Sequence, residues 1–332
     1  MNRVWHILGM VFIMGGSSWG IIFHPDGEPN LATWTDRPPQ ALVGRWGSNA
    51  SCVAISPNCV ITTQHQGVST GIPVVLDGKT YQVRRLWLHE TADLCVAELN
   101  DADLRHYVTL NDSSDEIGSL LVIAGYGNGR GAILQTFGIV YGYEYDRLSN
   151  ETLRLGTNRI DSVASRAESE DTLVADFDGL LRADSTQYEC IPAQYDSGGG
   201  WFLFRDSAWK LAGLSQSVES HYEQGHHGDP EYLIPYQAWF NTRSYPVRPD
   251  PDQVQAVRIQ PYLSWIKAIL CHARGGDINQ DGAVNLLDFA VVAEFWSRCD
   301  CLVNRECSGA DREPDGDVDF EDLSCLIEHW LP

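Results

Sequence analysis

The chain has 332 residues, 43% of them hydrophobic, and a net charge of -22 at pH 7. That is enough for one large and one small domain with sizeable cores, and too apolar for a disordered or fibrous chain. So acidic a chain cannot displace counterions from a phosphate backbone, which excludes nucleic acid as a partner. The acid is unevenly placed: from Gly275 onward there are fourteen Asp and Glu against three Arg and no Lys. Bound cations or a solvated surface account for such a segment.

The chain opens MNRVWHILGMVFIMGGSSWG, with Arg3, an apolar run from Val4 to Met14, and a small-x-small cleavage site at Ser18-Trp19-Gly20. This predicts a signal peptide over residues 1–20 and an exported protein, secreted or held at an extracytoplasmic surface. The run falls short of the roughly 20 apolar residues that a membrane span needs. No membrane span is expected after cleavage.

Between about 41 and 245, short β-rich runs alternate with turn residues: ALVGRW, CVAIS, CVITT, IPVVL, YQVRRLWL, LCVAEL, SLLVIAGYG, TFGIVYGYEY, GWFLF and LAGLSQS. Many short strands at this spacing predict an all-β barrel or sandwich. From 254 to 270 the period changes, and Ile259, Leu263, Ile266 and Leu270 recur at steps of three and four. A terminal amphipathic helix follows from that spacing. HYEQGHHGDPE, 221 to 231, reads as a solvated surface loop rather than a metal site.

Within the β-rich region His65 follows a strand, in SCVAISPNCVITTQHQG; Asp93 precedes one, in LHETADLCVAEL; and Ser197 sits in the glycine-rich turn of YDSGGGWFL. A serine hydroxyl becomes a nucleophile when an imidazole takes its proton, and the imidazole needs a carboxylate to fix its tautomer. The chain order His, Asp, Ser resembles that of the chymotrypsin-type enzymes.

ISPNCVITTQH, DLCVAEL, LLVIAGYGNG, DSGGG and YLSWIKAIL occur in one order over about residues 41–271, and the set resembles the trypsin-like serine proteases. The resemblance implies a domain over 21–271 with an all-β double β-barrel and a C-terminal helix. It implies His65 as general base then acid, Asp93 as its orienter and Ser197 as nucleophile, in a serine endopeptidase acting on protein or peptide without a catalytic cofactor. The oxyanion would be held by the backbone N–H groups of Tyr195 and Ser197. Ile191, six residues before the serine, would line the specificity pocket and favour apolar side chains.

Three departures from that family carry expectations of their own. Tyr195 stands where the family has glycine, so its N–H is expected to turn from the oxyanion; this leaves open a second reading, an inactive trypsin-fold binding protein acting as an assembly component. Asp196 is the residue that in such zymogens receives a new N-terminal ammonium, and cleavage after Gly20 would start the chain at Ile21-Ile22. Gln66 occupies the place of the usual disulfide partner of Cys52, while Cys95 and Cys190 read as buried thiols.

After Gly275 an internal repeat appears. DINQDGAVNLLD (277 to 288) and DREPDGDVDFED (311 to 322) share acidic or amide groups at positions 1, 3 and 5, Gly at 6, and Asp at 12, and each leads into an apolar stretch ending in Trp. Hard oxygen ligands at alternate positions around a glycine turn suit Ca²⁺, which takes six to eight oxygens at about 2.3 to 2.6 Å. With Asp rather than Glu at position 12, residues 275–332 resemble the type I dockerin module. That resemblance implies two calcium ions and a cohesin-like docking partner. The first ion would take Asp277, Asn279, Asp281, Asp288 and the carbonyl of Ala283; the second would take Asp311, Glu313, Asp315, Asp322 and the carbonyl of Asp317. Glu313 and Pro314 make the second loop the weaker expectation. Four of the nine cysteines, at 299, 301, 307 and 325, are dense enough to staple this small domain, with the pairing left open.

Overall fold

The computed structural model describes residues 21–24, 28–146, 151–165, 170–179, 182–219, 221–223, 232–234, 236–240, 251–279, 281, 283–301 and 307–330. The signal-peptide segment and most of the 221–231 loop lie outside these residues. Six strands come first: β1 (Val43–Trp46), β2 (Ala50–Ala54), β3 (Cys59–Thr62), β4 (Pro73–Leu76), β5 (Lys79–Leu88) and β6 (Cys95–Leu99). They close a barrel in the order β1-β2-β3-β6-β5-β4. Every residue of β2, β3 and β6 is buried, as befits walls packed on both faces, and closure leaves no edge to pair with another chain.

The second unit holds β7 (Leu120–Gly125), β8 (Arg154–Arg159), β9 (Ser162–Ser165), β10 (Asp171–Asp176), β11 (Gly200–Arg205), β12 (Ala208–Val218) and β13 (Gln253–Arg258). Their order is β8-β7-β11-β12-β13-β10-β9. The two edge strands, β8 and β9, are joined by only Ile160 and Asp161, so the sheet must curl until its edges meet. Ile160 N–H donates to Ser119 and Asp161 N–H to Val174, extending the β8-β7 and β9-β10 pairings, and across the seam Asn158 Nδ2 of β8 donates to the Asp176 carbonyl of β10 at 2.8 Å. The unit is thus rolled like a second barrel without a complete ladder. One apolar core runs between the two units, with Val53, Ile61 and Val96 from the first against Val122, Phe202 and Leu214 from the second.

The terminal helix is shorter than its periodicity predicts. α1 spans Leu263–Arg274, while residues 253–258 form β13, pairing with both β10 and β12. Val254, Ala256 and Val257 are fully buried there, and two neighbouring strands outweigh a helical period that only begins in earnest at Leu263. Pro261, in a short 3-10 turn over Gln260–Tyr262, supplies the punctuation. The strands β8, β9 and β10 were not among the sequence's clearer β runs; their faces are set by the sheet they join.

The last segment has its own small core, Ile278, Val292, Cys301, Cys307, Ala310, Val318 and Leu326, between α2 (Leu286–Glu294) and α3 (Phe320–Trp330). Each helix starts at position 10 of its loop. Cys301 pairs with Cys307, inside the segment; Cys325 pairs with Cys271 of α1, outside the expected group. Cys52, Cys59, Cys95 and Cys190 are buried thiols and Cys299 is exposed.

Candidate active site and candidate calcium loops

Two neighbouring strands bring the first two residues together. β3 and β6 are antiparallel with Thr62 opposite Cys95, so a residue three past Thr62 and one two before Cys95 emerge at the same end. His65 Nδ1 lies 2.6 Å from Asp93 Oδ2. Asp93 Oδ1 accepts the backbone N–H groups of Gln64 at 2.7 Å and His65 at 2.9 Å. Burial alone would raise the Asp93 carboxyl, but the hydrogen bonds from the His65 ring and from these two N–H groups hold it below the usual carboxylate range.

Ser197 comes from the other unit. Its carbonyl accepts the Ser51 N–H of β2 at 2.8 Å, and the next N–H, Gly198, donates to Ser215 at 2.9 Å. The turn is therefore clamped between the units, and Ser197 Oγ stands 2.7 Å from His65 Nε2. With Nδ1–H donating to Asp93, Nε2 is left as the acceptor of the serine proton. Gly198 has φ +78, and a Cβ there would lie 2.2 Å from both the Ser51 carbonyl oxygen and Thr62 Oγ1; no other residue fits that position.

Tyr195 holds an unusual backbone conformation for its residue type. Its φ is +76, the left-handed region that glycine enters freely and other residues enter at a cost of about 1–2 kcal/mol. The turn thus keeps the backbone that a glycine would give it. The surroundings over-determine that conformation: Asp196 N–H donates to Ala193, Gly199 N–H to Asp196, and Asn128 N–H to Gln194. Among the described residues neither the Tyr195 nor the Ser197 N–H donates to a protein acceptor. The Tyr195 side chain lies aside, lining a cavity of about 320 Å³ beside Ser197 whose other walls include Tyr145, Pro192, Val218 and Tyr236. Ile191 is not in that wall. It is 1% exposed and pairs with Ile22 in the core, because the strand carrying it turns inward before the serine loop.

Asp196 is buried, and its carboxylate accepts N–H groups from Gly127 at 2.6 Å and Ala193 at 2.8 Å. Burial pushes it up to about 6, opposed by those two N–H groups, the charge of Arg154 and the backbone N–H of Ile21. Ile21 and Ile22 are themselves fully buried.

Sequence reading missed two residues behind Asp93. Glu170 Oε2 accepts the Asp93 N–H at 2.8 Å, and Gln216 Nε2 donates to Glu170 Oε1 while lying 3.4 Å from Asp93 Oδ2. Neither belongs to a local pattern; only folding sets them beside Asp93.

In the acidic segment, ligand atoms of Asp311, Glu313 and Asp315 lie within 4.8 Å of one another, an oxygen cluster that fits a hard cation. Burial and the nearby charge of Asp322 push Glu313 up to about 10, opposed by the charge of Lys267. Asp277, Asp281 and Asp288 do not form such a triplet. The Asp277 carboxylate accepts the Asp281 N–H, and Asn279 donates to Asp281. The two position-12 aspartates have a shared second task. Asp288 accepts the N–H groups of Ile278, Asn279 and Asn285, and Asp322 those of Arg312 and Asp319, capping α2 and α3. The Asp317 and Ala283 carbonyls sit in these loops at position 7.

A six-stranded barrel, a curled second sheet, the cleft between them and a terminal helix define a trypsin-like fold. Residues 275–331 match the family model for the Dockerin type I domain, so this is a trypsin-type fold carrying a C-terminal dockerin module. No curated protein matches the chain. Among solved structures it is similar to mouse neuropsin, a serine protease expressed in the limbic system of the brain, at 16% identity over 69% of this chain and 94% of that one, with a TM-score of 0.44. It is also similar to the Rv3671c protease in its inactive form, at 14% identity over 53% and 77%, with a TM-score of 0.37. Among the described residues no helix is long and apolar enough to cross a membrane.

Proposed function

We propose that this protein is an exported serine endopeptidase that hydrolyses peptide bonds through His65, Asp93 and Ser197, tethered by its calcium-binding dockerin module. The observation that carries the reading is the continuous array from Asp93 Oδ2 through His65 to Ser197 Oγ, at 2.6 and 2.7 Å. His65 Nε2 takes the Ser197 proton as Oγ attacks the carbonyl carbon, and Asp93 stabilises the imidazolium that forms. The oxyanion settles between the N–H groups of Tyr195 and Ser197, where one donor is worth about 10²- to 10³-fold in rate. His65 then gives its proton to the leaving amine, and water repeats the cycle on the acyl-enzyme. The cavity lined by Tyr145, Val218 and Tyr236 takes the side chain next to the cut bond, in place of the pocket expected at Ile191.

The module would bind calcium through the residues of its two loops, supplying a hard dication that orders them. Leu286 and Leu287 at the start of α2 and Phe320 at the start of α3 are 70%, 59% and 73% exposed and offer apolar contacts to a cohesin-like partner. A fluorophosphonate probe tests the enzymatic reading: the secreted, calcium-loaded protein should carry one adduct on Ser197, lost in Ser197→Ala. No adduct on the unmodified chain removes it in favour of an inactive binding protein.

A further inference from the structure

Lys267 stands on α1, in the trypsin-type unit, yet its Nζ reaches into the second loop of the module. It lies 3.4 Å from Glu313 Oε1, 3.3 Å from Asp315 Oδ2 and 2.6 Å from Glu321 Oε2. Glu313 and Asp315 hold loop positions 3 and 5, two of the three residues whose ligand atoms converge there. Glu321 holds position 11, outside the alternating ligand pattern. Glu313 is 3% exposed, and its second oxygen, Oε2, has no hydrogen-bond partner among the described residues. A buried carboxylate thus shares one oxygen with the lysine and leaves the other open inside the loop.

We propose that the second loop is a composite site, built by two domains, in which Lys267 competes with calcium for the oxygens of Glu313 and Asp315. When calcium is scarce the ammonium neutralises the crowded carboxylates and latches the module to α1. When calcium enters, two positive charges cannot share the same oxygens at low cost. Nζ then withdraws to Glu321, which is already its shortest contact. The Cys271–Cys325 disulfide joins α1 to α3, so this exchange is a side-chain movement and the domains stay together. The second loop is therefore the weaker and conditional one, and its occupancy is felt on the helix that closes the trypsin-type unit. The inference rests on the calcium reading of the module.

Calorimetric titration of the full chain with CaCl2 tests it, in a background where Asp281→Asn weakens the first loop. Lys267→Met should tighten the second loop by about tenfold, while Lys267→Arg, which keeps the charge, should leave it within about threefold. In EDTA the sign reverses, and Lys267→Met should lower the melting temperature because Glu313 and Asp315 lose their cation. Unchanged or weakened calcium binding in Lys267→Met overturns the proposal, as does an unchanged melting temperature in EDTA. First-loop binding in the chain with Asp281 intact is read separately, so the calcium reading stands when only the Lys267 arm fails. No calcium binding in any of these chains overturns both.

Discussion

Tyr195 at φ +76 is a residue held in a conformation that its own side chain resists. A sequence reader weighs Tyr against Gly by conformational freedom and concludes that the turn is altered. The fold answers by fastening Asp196, Ser197, Gly198 and Gly199 to Ala193, Ser51, Ser215 and one another, and the strain is absorbed locally. Tyr195→Gly should therefore change kcat by less than about threefold, because Tyr195 already holds the positive φ that a glycine would take. A gain of the 10²- to 10³-fold size associated with an oxyanion donor would mean that Tyr195 withholds that donor. Steady-state kinetics on the two chains measures this. His65, Asp93 and Ser197 were legible as residues because their flanking strands were legible. Glu170 and Gln216 were not, since nothing in their own neighbourhoods marks them.

At the scale of elements, the short strand Ile22–Phe23 pairs with Cys190–Ile191 and holds Ile21 in the core with its backbone nitrogen turned toward Asp196. We propose that cleavage after Gly20 makes that nitrogen an ammonium, which pairs with the buried carboxylate without a large rearrangement. A chain starting at Ile21 should be active. One retaining Gly20 leaves Asp196 with its N–H donors and the charge of Arg154 but no ammonium, and should be less active. N-terminal sequencing of the secreted protein, with activity of the two chains side by side, decides it; equal activity removes the role of Ile21. Elsewhere the elements follow their local patterns. The exception is 254–258, where a helical period is overruled because β10 and β12 flank it on both sides.

For the whole molecule, charge sets the response to pH. Burial and the charge of Asp176 push Asp161 up to about 6 and Asp178 up to about 7, the latter opposed by Arg182. Burial pushes Glu189 up to about 8, opposed by its hydrogen bonds from Thr186. A carboxyl whose folded value is raised holds its proton more tightly in the folded state, so its stabilising contribution is present at low pH and lost as pH rises through the folded value. Melting temperature should fall between about pH 4.5 and pH 8, from the unfolded carboxyl range up to the highest of these folded values. The carboxyls held low, such as Asp93 and Asp288, lose their contribution only at more acidic pH and do not enter this window. The net charge of -22 acts in the same direction through self-repulsion. Differential scanning calorimetry at the two pH values checks the sign, and a rise would contradict it.

Strand periodicity, turn residues and the doubled acidic loop are local properties, carried by neighbours in the chain, and from them an all-β barrel or sandwich, the module and the order of His65, Asp93 and Ser197 could be read directly. What required the tertiary structure is everything that depends on distant residues sharing space. The backbone of Tyr195 is set by partners from Ser51 to Ser215, and Ile191 leaves the pocket because Ile22 pairs with it. Lys267, read from sequence as one residue of a terminal helix, meets the second loop only because α1 and α3 are packed and joined through Cys271 and Cys325.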